Sequence, residues 1–278
     1  MNILIESGAT KSTCIGYDDR CTFFSYQTTG INATYATQRE IFAVFNKLIL
    51  ENKVVVEKVE NILYYGSGCF NKNNAEKVKE VLSSLFQNAI IEVYSDLYAA
   101  CHALCKNNVG FVGILGTGAA SCFYNGETIT QKAPSLGWLL GDEGSGTHLG
   151  KLFVTEYLKD NLELEILQDF EKTFSVSKLL VFETIYQHTK PQTFFSLTPP
   201  FLLKHIDNQQ IRVLIEDSFQ NFFDKQIEFY KTFLHPWFFC GSIAFFFQEL
   251  LIEVAKKNSI KIEKIIPYCA QNLLKANN

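Results

Sequence analysis

No run of lysines and arginines stands anywhere in the 278 residues. No apolar run approaches the roughly 18 residues a membrane-spanning helix needs, and the richest, Trp237 to Phe247, is broken by Cys240, Gly241 and Ser242. Charged residues make up 19% and the net charge is −4, so the basic footprint of a nucleic-acid binder is missing. Paired cysteine spacing is missing too. The eight cysteines are scattered and are expected to be buried, reduced thiols. Cys101 and Cys105 share a helix face, but a metal needs two further ligands that no spacing supplies, so the pair reads as a small-residue helix face. The chain opens at once on a strand-like run, so a signal peptide is not expected and the cytoplasm is the expected compartment.

What is present is length and apolar content for two ordinary domains: 47% hydrophobic and 14% aromatic residues can fill two cores. The stretch Ile114-Leu115-Gly116-Thr117-Gly118-Ala119-Ala120-Ser121 organises the rest. An apolar run from Phe111 to Leu115 enters a glycine turn, and a second run from Ser121 to Tyr124 leaves it. Such a turn brings backbone close to a ligand and can form a small anion nest, although a lone Gly-x-Gly is usually only a turn. A second copy changes the weighing. Asn2 to Glu6, the turn Ser7-Gly8-Ala9-Thr10-Lys11 and the run Ser12 to Tyr17 repeat the pattern, with Gly8 and Gly118 standing 110 residues apart. A duplicated domain follows, its identity between halves weak and its repeat one of pattern.

Taken in order, residues 2–6, 12–17 and 21–27 read as strands, 35–51 as a helix, 59–65 as a buried strand ending in Gly66-Ser67-Gly68, 74–86 as a helix, 90–94 as a strand and 97–106 as a helix. Three strands followed by alternating helix and strand predict a mixed sheet with helices on both faces. Asn107-Asn108 is a plausible boundary. Strand, turn and strand recur over 109–124, with Asn125-Gly126 as a hairpin signal. A glycine-rich loop covers 132–146 and a helix 147–158. Residues 160–232 read as a helical insertion broken near Pro191 and Pro199-Pro200. Strand 237–240, helix 243–257, strand 261–266 and helix 270–275 close the chain. The expected domains are 1–107 with the C-terminal helix 268–278, and 108–267.

Four features follow strand ends, where open α/β sheets bind ligands: the turn at 7–11, the turn at 116–118, Asp96 ahead of a helix, and Gly241-Ser242. Two glycine turns suit a polyphosphate, and a helix start suits an anion or nucleotide. Asp96 reads either as an N-cap or as a general base aimed at a ligand. Asp142 and Glu143, without further context, read as acids favouring the start of the following helix. Trp138 and Phe238-Phe239 read as core, and Lys11 without further context as a solvated turn lysine.

These motifs resemble those of the sugar-kinase, Hsp70 and actin superfamily, and more narrowly the BadF/BadG-type ATPase family that includes N-acetylglucosamine kinase. Glu6-Ser7-Gly8-Ala9-Thr10-Lys11 is similar to its phosphate-one motif, Gly116-Thr117-Gly118 to phosphate two, and Gly241-Ser242-Ile243-Ala244 to the adenosine motif. The most specific match is Gly141-Asp142-Glu143-Gly144-Ser145-Gly146, and Thr29-Gly30-Ile31-Asn32 resembles the family's sugar-contacting Gly-x-Asn loop.

The resemblance spans essentially the whole chain. It implies two ribonuclease H-like, actin-like ATPase domains with a cleft between them. It implies ATP and Mg²⁺ as cofactors and a small amino sugar as substrate, and composition has already argued against a nucleic-acid or membrane partner. Asp96 falls where the catalytic aspartate is expected and also touches substrate. Gly8, Ala9, Thr10, Lys11, Gly116, Thr117, Gly118, Gly241 and Ser242 fall on ATP, and Asn32, Ser135, Gly137, Asp142 and Glu143 on the sugar. Glu6 stands where the family usually has Asp, an acid associated with Mg²⁺ often through water; glutamate keeps the charge and is one methylene longer. The implied reaction is phosphorylation of a sugar hydroxyl. Alternatives are an ATPase that activates a dehydratase through an iron–sulfur cluster, and a nucleotide- or sugar-binding sensor without turnover. The aromatic content of 160–232 makes it a candidate homodimer contact.

Overall fold

The computed structural model describes residues 1–187, 190–231 and 234–276. The chain divides into two compact units, Met1–Asn108 with Tyr268–Asn278, and Val109–Pro267.

In the first unit β1 (Asn2–Ser7), β2 (Lys11–Tyr17) and β3 (Thr22–Thr29) form an antiparallel meander. The β2–β3 turn is held by Asp18, whose Oδ1 accepts from the N–H groups of Arg20 and Cys21. Helix α1 (Gln38–Glu51) begins at a capping box between Thr37 and Glu40, which satisfies two N–H groups the helix leaves open. Next come β4 (Asn61–Gly66), α2 (Lys72–Leu85) capped by Asn71, β5 (Ile90–Ser95) and α3 (Asp96–Leu104). The sheet order is β3-β2-β1-β4-β5, with β4 parallel to β1 and β5 parallel to β4.

Alternation along the strands decides what packs where. Ile3, Ile5, Ile62, Tyr64 and Ile91 meet Ile41, Phe45 and Leu48 of α1 and Val78 and Leu82 of α2. Each such fully buried side chain stabilises by about 1.5–3 kcal/mol. Tyr65 points the other way, its hydroxyl 2.9 Å from His102 Nδ1 of α3. On that side α3 and the terminal helix (Ala270–Ala276) pack on each other and on β1.

The second unit repeats the plan. Its strands are β6 (Gly110–Leu115), β7 (Ala119–Tyr124) and β8 (Ile129–Lys132), then β9 (Trp237–Cys240) and β10 (Ile262–Ile266). The order β8-β7-β6-β9-β10 matches that of the first sheet, with β6 in the place of β1. Helices α4 (Gly137–Leu140), α5 (Gly146–Leu158), α6 (Leu164–Phe174), α7 (Lys178–Gln187), α8 (Gln192–Ser196), α9 (Pro199–Lys204) and α10 (Gln209–Tyr230) lie between β8 and β9. Helices α11 (Ser242–Phe246) and α12 (Gln248–Lys257) follow β9. Phe111, Leu115, Trp237 and Phe239 of the sheet share one core with Leu149 and Phe153 of α5, Phe219, Phe222 and Phe223 of α10, and Leu251 of α12.

Three expectations change in detail. The glycine-rich loop contains the short helix α4. The helix expected over 243–257 is two, because Phe247 has left helical geometry at φ −106°, ψ 23°. The prolines at 191 and 199–200 open helices rather than only ending them: Pro191 caps α8 and Pro199 starts α9, positions where the missing N–H costs nothing. Among the described residues no helix is long and apolar enough to cross a membrane.

Candidate active site

In the first unit the register aligns Ser7 with Gly66 and Gly66 with Ser95. Three strands therefore end on one row, and the turns beyond them are tied together. Gly8 N–H donates to Lys11 O at 2.9 Å, closing the 7–11 turn. Ser7 Oγ lies 2.6 Å from Ser12 Oγ and accepts from Ile31 N–H at 3.0 Å. Gly30 N–H donates to Thr10 O at 3.0 Å. A Cβ on Gly30 would stand 2.3 Å from Gly8 O and 2.4 Å from Lys11 N, so only glycine lets the 29–32 segment lie against the turn.

The same row fixes Asp96. Ser67 N–H donates to Ser7 O at 2.9 Å, and Ser67 Oγ donates to Asp96 Oδ2 at 2.6 Å. Leu97 N–H donates to Asp96 Oδ1 at 3.0 Å. Asp96 is the first residue of α3 and Ser95 is its N-cap, with no side-chain capping bond; the N-cap reading of Asp96 is thereby corrected. Asn32 stands beside the same turn. Its Oδ1 accepts from Thr34 N–H at 3.0 Å and lies 2.7 Å from where a Cβ on Gly68 would be. Lys77 Nζ donates to Ala33 O at 2.5 Å and Ala36 O at 2.8 Å, pinning the loop from behind. Ala9 and Thr10 are exposed at the tip. Lys11 is exposed, its Nζ 5.3 Å from the centre of the Tyr268 ring.

Glu6 faces the terminal helix. Its Oε1 accepts from Cys269 N–H at 3.1 Å and its Oε2 from Ala270 N–H at 2.6 Å. Burial pushes its carboxyl above the usual carboxylate range, these two bonds oppose the shift, and the charge of Asp96 adds to it. Each carboxylate oxygen has capacity for a further hydrogen bond, so the group could also accept from a metal-bound water.

In the second unit Gly116-Thr117-Gly118 is held by the start of α5. Gly116 N–H closes the turn on Gly118 O at 3.0 Å. Gly146 N–H donates to Gly116 O at 2.8 Å, and Thr147 donates to Thr117 O from its N–H at 3.2 Å and its Oγ1 at 2.7 Å. Ser145 caps α5 through His148 N–H at 3.1 Å. The first N–H groups of α5 are thus committed to the turn's carbonyls.

Asp142 lies against the turn. Its Oδ1 accepts from Ala119 N–H at 3.2 Å, and a Cβ on Gly118 would stand 3.0 Å from its Oδ2. Asp142 adopts φ +59°, a left-handed conformation that Asp tolerates better than most residues. Burial is the main cause that raises its carboxyl pKa, and Glu143 adds to the rise. No acid stands in the first turn of α5, so Asp142 and Glu143 do not serve as helix-start acids.

Gly241, at φ +121°, packs on the same turn: a Cβ there would lie 2.2 Å from Leu115 O. Ser242 opens α11 behind it. Ser135 is exposed, and Gly137 has φ +72° with open space beside it; neither is bonded to Asp142. Trp138 packs against Phe195 as core.

The first unit therefore gathers Gly8–Lys11, Asn32 and Asp96, and the second gathers Gly116–Gly118, Asp142, Gly241 and Ser242. Sequence reasoning passed over Ser67 and Thr147, and read Ser145 and Gly146 only as part of the 141–146 motif. Gly66-Ser67-Gly68 offered a signal, being a third small-residue turn at a buried strand's end.

No family model and no curated protein matches the sequence. Solved structures do. A candidate N-acetylglucosamine kinase from Porphyromonas gingivalis superposes with TM-score 0.94 at 28% identity, covering 100% of this chain and 98% of that one. A second candidate N-acetylglucosamine kinase, from Chromobacterium violaceum, gives TM-score 0.77 at 14% identity with coverage of 100% and 98%. The ROK hexokinase of Thermus thermophilus gives 0.52 at 13%, with 99% and 96% covered. The chain has the two-domain, actin-like ATPase fold of these kinases.

Proposed function

We propose that the protein is an ATP-dependent kinase of a sugar hydroxyl, with an N-acetylhexosamine or related amino sugar as acceptor. The observation that carries this reading is the held carboxylate of Asp96, fixed by Ser67 Oγ and Leu97 N–H at the end of the row that also holds the 7–11 turn. A fixed carboxylate suits a base that accepts or orients the proton of an attacking hydroxyl, probed best at the sugar's C6 position. The full-length similarity to the Porphyromonas gingivalis candidate kinase supports the same reading.

Each part has a task in this scheme. Gly8–Lys11 and Gly116–Gly118 offer backbone to the phosphates, and Gly241-Ser242 to the adenosine. Asp142 and Glu143 accept hydrogen bonds from sugar hydroxyls or the acyl amide N–H, and Asn32 accepts or donates them, with Ser135 and Gly137 along the same loop. Mg²⁺, when bound with ATP, would neutralise phosphate charge, and Glu6 would accept from a water of its shell. Phosphoryl transfer of this kind rests on positioning and electrostatics.

The dehydratase-activator alternative loses ground on its thiols. Of the eight cysteines only Cys21 is exposed, and burial pushes Cys14 and Cys69 up to about 12. No exposed pair is available to share a cluster.

The deciding experiment is a coupled ADP-release assay with Mg·ATP and a panel of hexosamines and N-acetylhexosamines. Sugar-dependent ADP release well above the rate without sugar is expected. Binding of ATP and sugar without release would replace the kinase by a sensor.

A further inference from the structure

Helix α10 buries Ser218, Phe222, Gln226 and Tyr230. Four-residue spacing puts them on one stripe, and together they meet three parts of the glycine-turn assembly. Ser218 Oγ lies 2.8 Å from His148 Nδ1. Phe222 stands 3.0 Å from where a Cβ on Gly144 would be. Ser121 Oγ donates to Gln226 Oε1 at 2.5 Å and lies 3.0 Å from Tyr230 Oη.

Both arms of the turn are thereby gripped. His148 is the third residue of α5, whose first two residues hold the carbonyls of Gly116 and Thr117. Ser121 sits in β7, the strand that leaves the turn. His148 and Ser218 are 7% and 0% exposed, and burial keeps the imidazole neutral. Their bond therefore has one donor and one acceptor, and removing either partner strands the other without water to replace it.

We infer that His148 is a positioning residue for the 116–118 turn, locked by Ser218, so that the helical insertion sets the geometry with which this turn meets phosphate. This rests on the reading of the turn as a phosphate site. A helix that only fills the core would contribute stability and leave nucleotide affinity alone.

The test uses the full chain with Ser218→Ala, which removes a hydroxyl without adding volume, and His148→Asn, which keeps a polar atom near Nδ1. Titration calorimetry reads affinity for Mg·ATP and for the best hexosamine, and melting temperature reports folding. Ser218→Ala should remain folded, bind Mg·ATP about 10- to 100-fold more weakly, as misplacement of a preorganised group does, and bind sugar as before. His148→Asn should recover most of the nucleotide affinity. Unchanged Mg·ATP affinity in folded Ser218→Ala overturns the inference, as does an equal loss for ATP and sugar. If Ser218→Ala does not fold, Ser218→Cys, which keeps a small side chain with only a weak hydrogen-bonding thiol, carries the same comparison. A wild-type chain that binds no Mg·ATP would instead sink the phosphate reading itself.

Discussion

Ser67 Oγ donates to Asp96 Oδ2 across 2.6 Å, while Ser67 N–H donates to Ser7 O. One serine thus ties the candidate base to the first glycine turn. Asp96→Asn should keep α3 intact, because Ser95 rather than Asp96 is the N-cap. Its kcat should fall by at least about 10²-fold, the usual worth of acid–base catalysis, with ATP affinity nearly unchanged. Ser67→Ala should lower kcat less. Turnover and melting temperature for both variants decide it, and near-wild-type turnover in Asp96→Asn would remove the catalytic assignment.

The two glycines of the second turn should respond differently. A Cβ on Gly116 meets nothing within 4 Å, whereas one on Gly118 stands 3.0 Å from Asp142 Oδ2. Gly116→Ala should fold as well as the wild type and bind Mg·ATP more weakly, since the methyl projects into open space beside the turn. Gly118→Val should also push on Asp142 and weaken sugar binding. Calorimetry with each ligand separates them, and a Gly116→Ala protein with full ATP affinity would argue that phosphate does not approach that face.

Much of this arrangement was legible beforehand, for reasons the residues make plain. Strands and turns showed because short apolar runs ended in small residues, as at Ser7-Gly8 and Gly116-Thr117-Gly118. The duplicated sheet followed from that recurrence. Ser67 and His148 did not show, because their importance lies in partners 29 and 70 residues away, and no local spacing encodes such bonds. The split at Phe247 was hidden because an apolar residue there fits a helical period.

Glu6 carries a stability prediction that its charge alone did not suggest. Its carboxylate accepts from the N–H groups of Cys269 and Ala270 at the start of the terminal helix. Glu6→Ala strands both donors and should lower stability by about 1–3 kcal/mol. Glu6→Asp is one methylene too short to keep both bonds in place and should lose part of that. Denaturant melts of the two variants, read beside the Mg²⁺ dependence of turnover, separate a helix-holding role from a metal role. Wild-type stability in Glu6→Ala would show the two bonds to be idle.

His148 gives the pH dependence. Burial, with the nearby charge of Lys151, pushes its imidazole down to about 4 from an ordinary 6.5. The folded state then binds fewer protons than the unfolded state between those values, so stability rises with pH across that window. The contribution is fully present above pH 6.5 and is lost progressively as the pH falls toward 4, amounting to about 3 kcal/mol. Asp142 and Glu6, whose carboxyls are raised by burial, work in the opposite sense, so the wild-type profile alone mixes the three. The difference in unfolding free energy between wild type and His148→Asn, measured from pH 7 down to pH 4, isolates the histidine: the wild type's advantage should shrink steadily as the pH falls below 6.5. A pH-independent difference would mean that the His148 ring titrates as freely in the folded chain as in the unfolded one, and that its burial does not hold it neutral.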